Sequence, residues 1–301
     1  MKILNIIDVP DWAFFHNCKA LEKYGANEYT IRFGRGNKYK DAFKKLRKFD
    51  LVLYWTDVRP DYLVKRKVPN NKIVAMIRSD VRKTCKKGRF KYWQETKLVS
   101  GYIKCFMAAN RDLLKWVRKK YPAKKAFYAP GGVDTEMFQY TPKEFKKTPV
   151  VGWAGSKKNF GADIRGLRII EDAVKQLGWD YKPAYRESKW RSQQQMAEYY
   201  KTIDLYIDMY SAPGRQNGLL EAGACGVPLV CCDKGIAREL VPGGLQIAQR
   251  NVESVKAALQ RAWRHRAKTS PKIASLVAKE WSWKLWTEKF EEIFEQIKRI
   301  E

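Results

Sequence analysis

This sequence is poor in histidine, short of acidic residues relative to basic ones, and without clustered cysteine. Its two histidines, His16 and His265, and six cysteines, at positions 18, 85, 105, 225, 231 and 232, never form the C-x-x-C or paired Cys/His spacing of a zinc site. Scattered cysteines of this kind are expected as reduced, core-filling side chains of a cytoplasmic protein. No Asp-x-Asp pair occurs anywhere, which removes the usual carboxylate clamp for a metal-bound nucleoside diphosphate. The chain also lacks G-x-G-x-x-G after its first strand-like run, G-x-x-x-x-G-K-[ST], and G-x-S-x-G. Dinucleotide dehydrogenases, P-loop nucleotidases and nucleophile-elbow hydrolases are thereby excluded. The longest apolar candidate, 219–232, is broken by glycine, proline and glutamate and falls short of the ~20 residues that span a membrane. Residues 1–10 read as a short strand with no apolar segment and cleavage site after it, so no secretory signal is expected.

What is present is basic and apolar. Sixty Lys and Arg face 32 Asp and Glu across 301 residues, a formal charge of +28, and 45% of the residues are apolar. That apolar share is ample for packed cores despite the charge. Strand-like runs at 2–8, 28–33, 50–55, 72–78 and 103–108 alternate with helix-like stretches at 12–24, 39–48 and 110–121. A second series has strands at 149–154, 203–209, 228–232 and 245–248, with helices at 163–177, 192–201, 218–225 and 252–265. Such alternation predicts an α/β protein of two Rossmann-like, doubly wound parallel-sheet domains facing each other across a cleft. The restart after the proline- and glycine-bearing segment 128–149 divides them, giving domains 1–140 and 141–280. The aromatic, amphipathic stretch 281–301, with Trp283, Trp286, Phe290, Phe294 and Ile297, is expected as a terminal helix packing back toward the first domain.

The most informative segment is 199–235, YYKTIDLYIDMYSAPGRQNGLLEAGACGVPLVCCDKG. A strand leads into a loop carrying Ser211, Pro213, Gly214, Arg215 and Asn217, and that loop opens a helix near Asn217 and Gly218. A loop entering a helix N-terminus presents unpaired N–H groups and the positive end of a dipole to an anion. Arg215 adds a fork of donors suited to phosphate. Glu221, one turn into the helix, can accept two hydroxyls of a ribose. An ordinary capped helix would read the same on spacing alone.

The residues after the loop add a resemblance. The run LEAGACGVP at 220–228 is similar to the second half of the signature of retaining GT-B glycosyltransferases, which reads Glu, seven residues, Glu, then Ala-Met-Ala-Cys-Gly-x-Pro. The large family with that signature contains many lipopolysaccharide and polysaccharide sugar transferases. YAPGGVD at 128–134 with Phe138 resembles its interdomain element, VVGWAG at 150–155 the opening of its donor domain, and WSW at 281–283 the start of its C-terminal helix. The first half of the chain matches only in outline. By this resemblance the fold is GT-B and the activity is metal-independent hexosyl or pentosyl transfer from a nucleotide sugar. A UDP-sugar is the expected co-substrate, and no other cofactor is implied. Glu221 is implied to hold the ribose, and Gly155, Asn217, Gly218 and Leu219 to line the donor. Lys157, Lys158 and Arg215 are implied to neutralise the diphosphate, unless the two lysines belong to a solvated loop. One departure stands out: Pro213 occupies the place of the family's first Glu. In the first domain Asp80, after the fourth strand, is a general-base candidate should the reaction invert, and Asp11, in the first strand–helix loop, is its rival. Either carboxylate also suits a helix cap, and His16 reads as a helix residue rather than a base.

Charge points to the acceptor. Residues 1–140 hold 32 basic and 13 acidic side chains, against 28 and 19 in 141–301. The donor diphosphate sits in the other half by the same resemblance, so the excess suits a polyanionic acceptor. The densest run, 78–97, carries eight basic and two acidic residues, with aromatics interleaved. Arg82, Lys83, Lys86, Lys87, Arg89, Phe90, Lys91, Tyr92 and Trp93 are the expected nucleic-acid contacts, cations gripping phosphates and rings stacking on bases. The expectation is therefore a transferase that glycosylates a hydroxymethylated, flipped-out pyrimidine in DNA, as certain viral GT-B enzymes do. A peripheral membrane transferase of envelope-glycan synthesis is the alternative, because the same residues bind anionic headgroups. A non-catalytic nucleic-acid-binding protein on a transferase scaffold, motivated by Pro213, is a further one.

Overall fold

The computed structural model describes residues 1–8, 10–11, 13–34, 42, 44–55, 70–78, 103–145, 147–157, 162–212, 214 and 216–300. The chain divides into two compact units, Met1–Pro130 with Trp283–Glu301, and Gly131–Ser282.

In the first unit six strands, β1 (Lys2–Ile7), β2 (Glu28–Phe33), β3 (Leu51–Tyr54), β4 (Ile73–Ile77), β5 (Cys105–Ala108) and β6 (Ala126–Tyr128), form one parallel sheet. Their order is β2-β1-β3-β4-β5-β6. The central strands LVLY, IVAMI and CFMA are buried throughout, as expected for a parallel sheet covered on both faces. Side chains alternate between those faces. Ile3, Ile7, Leu51 and Leu53 join the core under α1 (Ala13–Tyr24), whereas Leu4, Ile6, Val52 and Tyr54 join that under α2 (Arg111–Lys120). The C-terminal helix, which we number α10 (Trp283–Lys298), completes the first of these cores with Trp286, Phe290, Phe294 and Ile297. Its Glu291 accepts the Ala26 N–H at 3.0 Å and hydrogen-bonds to Asn27 Nδ2 and the Tyr29 hydroxyl. Residues 45–48 do not continue the helix expected over 39–48: Lys45 is left-handed (φ 53°) and Leu46–Lys48 forms a single 3₁₀ turn.

The second unit holds β7 (Val150–Gly155), β8 (Asp180–Tyr185), β9 (Leu205–Asp208), β10 (Leu229–Cys232) and β11 (Gln246–Ala248) in a parallel sheet ordered β11-β10-β9-β7-β8. Among the described residues seven helices accompany them: α3 (Ala162–Arg165), α4 (Leu167–Gln176), α5 (Gln193–Lys201), α6 (Asn217–Ala224), α7 (Ala237–Leu240), α8 (Val252–Arg264) and α9 (Arg266–Trp281). The single helix expected over 163–177 is divided at Gly166, whose φ of 72° leaves helical space and whose missing side chain lets it approach Met209. Among the described residues no helix is long and apolar enough to cross a membrane.

Candidate functional site

The site grows from two neighbouring strands of the second unit. Strands β7 and β9 pair directly, so the residues that follow them emerge side by side at the carboxyl edge of the sheet. Open parallel sheets bind ligands at that edge.

After β7 the chain turns through Gly155, Ser156 and Lys157. Gly155 adopts φ 156°, and a Cβ there would meet the buried Trp153 ring at 2.7 Å, so only glycine fits. Its carbonyl accepts the Arg186 N–H at 2.9 Å. Lys157 places its ammonium 3.7 Å from the centroid of the Tyr185 ring, and its N–H donates to Glu187 Oε2 at 3.1 Å. Ser156 hydrogen-bonds the same carboxylate. The ammonium of this exposed lysine thus rests on a ring.

After β9 the chain enters α6. Buried Gln216 ties the entry to neighbouring segments: its Oε1 accepts the Ile236 N–H at 3.2 Å, and its Nε2 lies 3.4 Å from Asp208 Oδ2 and 3.3 Å from Cys231 Sγ. The turn it clamps carries Gly235 at φ 64°, where a Cβ would meet Gln216 Oε1 at 2.2 Å. Burial pushes the Asp208 carboxyl above its ordinary 3.8, against the pull of Arg165, the Tyr210 N–H and Gln216. Asn217 opens the helix with its Oδ1 buried and without a hydrogen-bond partner among the described residues. Gly218 lies so close to Tyr206 that a Cβ would stand 2.1 Å from its hydroxyl. Leu219 sends its side chain wholly into the core and its N–H to the Gln216 carbonyl at 3.1 Å. Glu221, half-buried, accepts the Tyr200 hydroxyl on Oε2 at 2.9 Å.

Of the residues expected from sequence, Gly155, Lys157, Asn217, Gly218, Leu219 and Glu221 therefore follow adjacent strands of one sheet. Asp11 lies in the first unit, left-handed at φ 60°, its carbonyl accepting His16 Nε2 at 3.2 Å. Asp80, Lys158, Arg215, Pro213 and the basic-aromatic set Arg82, Lys83, Lys86, Lys87, Arg89, Phe90, Lys91, Tyr92 and Trp93 lie outside the described residues. Tyr200, Gln216 and Tyr206 were not anticipated, because contacts between separate elements leave no periodic trace in sequence. Among the described residues no three His, Cys, Asp or Glu side chains gather as a metal-binding group.

Residues 167–265 match the family model described as "Glycosyl transferases group 1". No curated protein sequence matches the chain. Sucrose-phosphate synthase from Thermosynechococcus elongatus superposes with a TM-score of 0.71 at 13% identity over 98% of both chains. HepE of Anabaena, in complex with UDP and glucose, gives 0.71 at 14% identity over 98% of this chain and 100% of its own. The pneumococcal O-GlcNAc transferase GtfA, in complex with UDP and GlcNAc, gives 0.58 at 12% identity over 83% of this chain and 57% of its own. At such identities the superpositions establish the fold, which is GT-B as expected. The glycosyltransferase class is borne out by the family match.

Proposed function

We propose that this GT-B glycosyltransferase moves a sugar from a UDP-sugar to a hydroxyl on a polyanionic acceptor, namely a hydroxymethylated pyrimidine in DNA. The donor half of the reading rests on one observation: a glutamate one turn into α6, at the carboxyl edge of the second sheet, is held in place by a buried phenol. In this reading Glu221 takes the ribose hydroxyls, while Gly155, Asn217, Gly218 and Leu219 line the sugar and diphosphate. Lys157, Lys158 and Arg215 stabilise the diphosphate as its charge grows on departure, where preorganised cations act most strongly. HepE and GtfA hold UDP in the structures to which this fold is similar, which supports the choice of donor.

The acceptor half of the reading rests on charge. The first 140 residues carry 32 basic side chains against 13 acidic ones, more than a single diphosphate calls for. Residues 1–140 then form the acceptor domain, 141–280 the donor domain, and 281–301 the returning helix. Asp80, or Asp11 in its place, takes the acceptor proton if the reaction inverts.

Titration of the full chain with duplex DNA and with anionic phospholipid vesicles separates the acceptor readings. DNA affinity is expected, with vesicle binding weak. Tight vesicle binding with no affinity for DNA would replace this reading with a membrane-surface transferase. Absence of any sugar release from nucleotide-sugar donors, alongside DNA binding, would leave only a binding protein.

A further inference from the structure

Tyr200 sits at the end of α5 with no exposed surface, and its ring packs edge-on against Tyr199, Tyr206 and Phe138 at centroid distances of 5.4, 5.8 and 6.0 Å. A ring so enclosed has one place to put its hydroxyl, and that place is Glu221 Oε2, 2.9 Å away. Burial and the neighbouring carboxylate push the phenol's titration well above its ordinary range, so the hydroxyl keeps its proton and remains a donor. The helix that carries Glu221 is located by a second buried tyrosine, since Gly218 rests directly against the Tyr206 hydroxyl. Two tyrosines six positions apart thus fix the height of α6 and the orientation of its carboxylate.

We propose that Tyr200 is a positioning residue for the donor site. It locks the Glu221 carboxylate in the orientation that accepts both hydroxyls of a ribose, and so sets a preference for ribonucleotide over 2′-deoxyribonucleotide donors. The inference rests on the ribose reading of Glu221 given above. A carboxylate offers about four acceptor positions, more than the phenol occupies. An unrestrained glutamate would lose rotamer freedom each time a nucleotide bound, and pre-ordering removes that cost. A site shaped for two hydroxyls also discriminates against a ligand lacking one, because the vacated acceptor is left without a donor.

The test is calorimetric titration of the full chain with UDP, GDP and ADP and their 2′-deoxy counterparts, using Tyr200→Phe, Glu221→Ala and the double variant. Tyr200→Phe is expected to weaken the best ribonucleotide about ten- to a hundredfold, as for a lost hydrogen bond to a charged group. It should weaken the deoxy form less, and change nothing further once Glu221 is alanine. In turnover with a nucleotide sugar, KM should rise while kcat stays within about twofold. Equal losses in both Glu221 backgrounds would show that Tyr200 merely packs, and would overturn the proposal. So would an unchanged ribose preference in Tyr200→Phe when Glu221→Ala weakens binding. Unchanged nucleotide affinity in Glu221→Ala would instead overturn the ribose reading itself. Should Tyr200→Phe unfold, Glu221→Asp draws the carboxylate out of the hydroxyl's reach with the tyrosine intact. It should show the same loss of preference, and retention of that preference would count against the proposal.

Discussion

Gly218 carries the sharpest steric demand near the candidate site. A methyl group there stands 2.1 Å from the Tyr206 hydroxyl, and the tyrosine is wholly enclosed and has nowhere to retreat. Gly218→Ala is therefore expected to cost about 1–3 kcal/mol as overpacking and to weaken nucleotide binding by tilting α6. Tyr206→Phe in the same chain should recover part of the stability, measured by denaturant unfolding; no recovery would show that the strain lies elsewhere. Asp208 offers a pH test. Its carboxyl is raised above 3.8 by burial, so the folded chain holds that proton more tightly than the unfolded one. Its contribution is then most favourable at acid pH and is lost as pH rises from the unfolded titration through the folded one. Thermal unfolding of Asp208→Asn against the parent should move in the variant's favour between pH 4 and pH 7. A constant difference would contradict the raised titration. Glu221, Gly218 and Asn217 were legible in the sequence because their spacing after a strand has a physical meaning. Tyr200 and Gln216 were not, since each acts on an element 15 or more positions away.

At the level of elements, Glu291 joins α10 to the turn before β2 by two hydrogen bonds and to β2 itself by a third, from Tyr29. Glu291→Ala strands those donors and is expected to cost about 2–3 kcal/mol. Hydrogen exchange should show α10 and β2 losing protection while β7, β9 and α6 keep theirs. Uniform loss across the chain, or none, would contradict a local clasp. Two of the elements that escaped the sequence reading contain a proline. Strand β8, DYKPAY, contains Pro183, which a central strand excludes, but β8 lies at the sheet edge, where a missing N–H is tolerated. Helix α9 contains Pro271, which also reads as a break, yet the helix runs through it and packs Ile273 and Val277 into the core. Tertiary burial outweighs local propensity in α9, and the edge position does so in β8. Where apolar runs were uninterrupted, as in β3, β4 and β10, the expected and observed strands coincide to within a residue or two at each end.

Across the whole molecule the dominant property is a charge of +28. If that charge grips a phosphate polymer, binding displaces condensed counterions, and affinity for duplex DNA should fall about 10³-fold or more between 50 and 200 mM salt. A shallow salt dependence would mean that few phosphates are engaged. Fold and reaction class followed from strand–helix alternation and one signature, whereas the acceptor is inferred from charge alone and so is the point most worth testing. The most direct measurement incubates the full chain with DNA containing hydroxymethylcytosine or hydroxymethyluracil and a panel of UDP-sugars, then digests the DNA and weighs its nucleosides. The account predicts a hydroxymethyl nucleoside heavier by one hexose or pentose residue, abolished by Glu221→Ala at limiting donor. Unmodified nucleosides, from a preparation that releases sugar from the same donors, would contradict it.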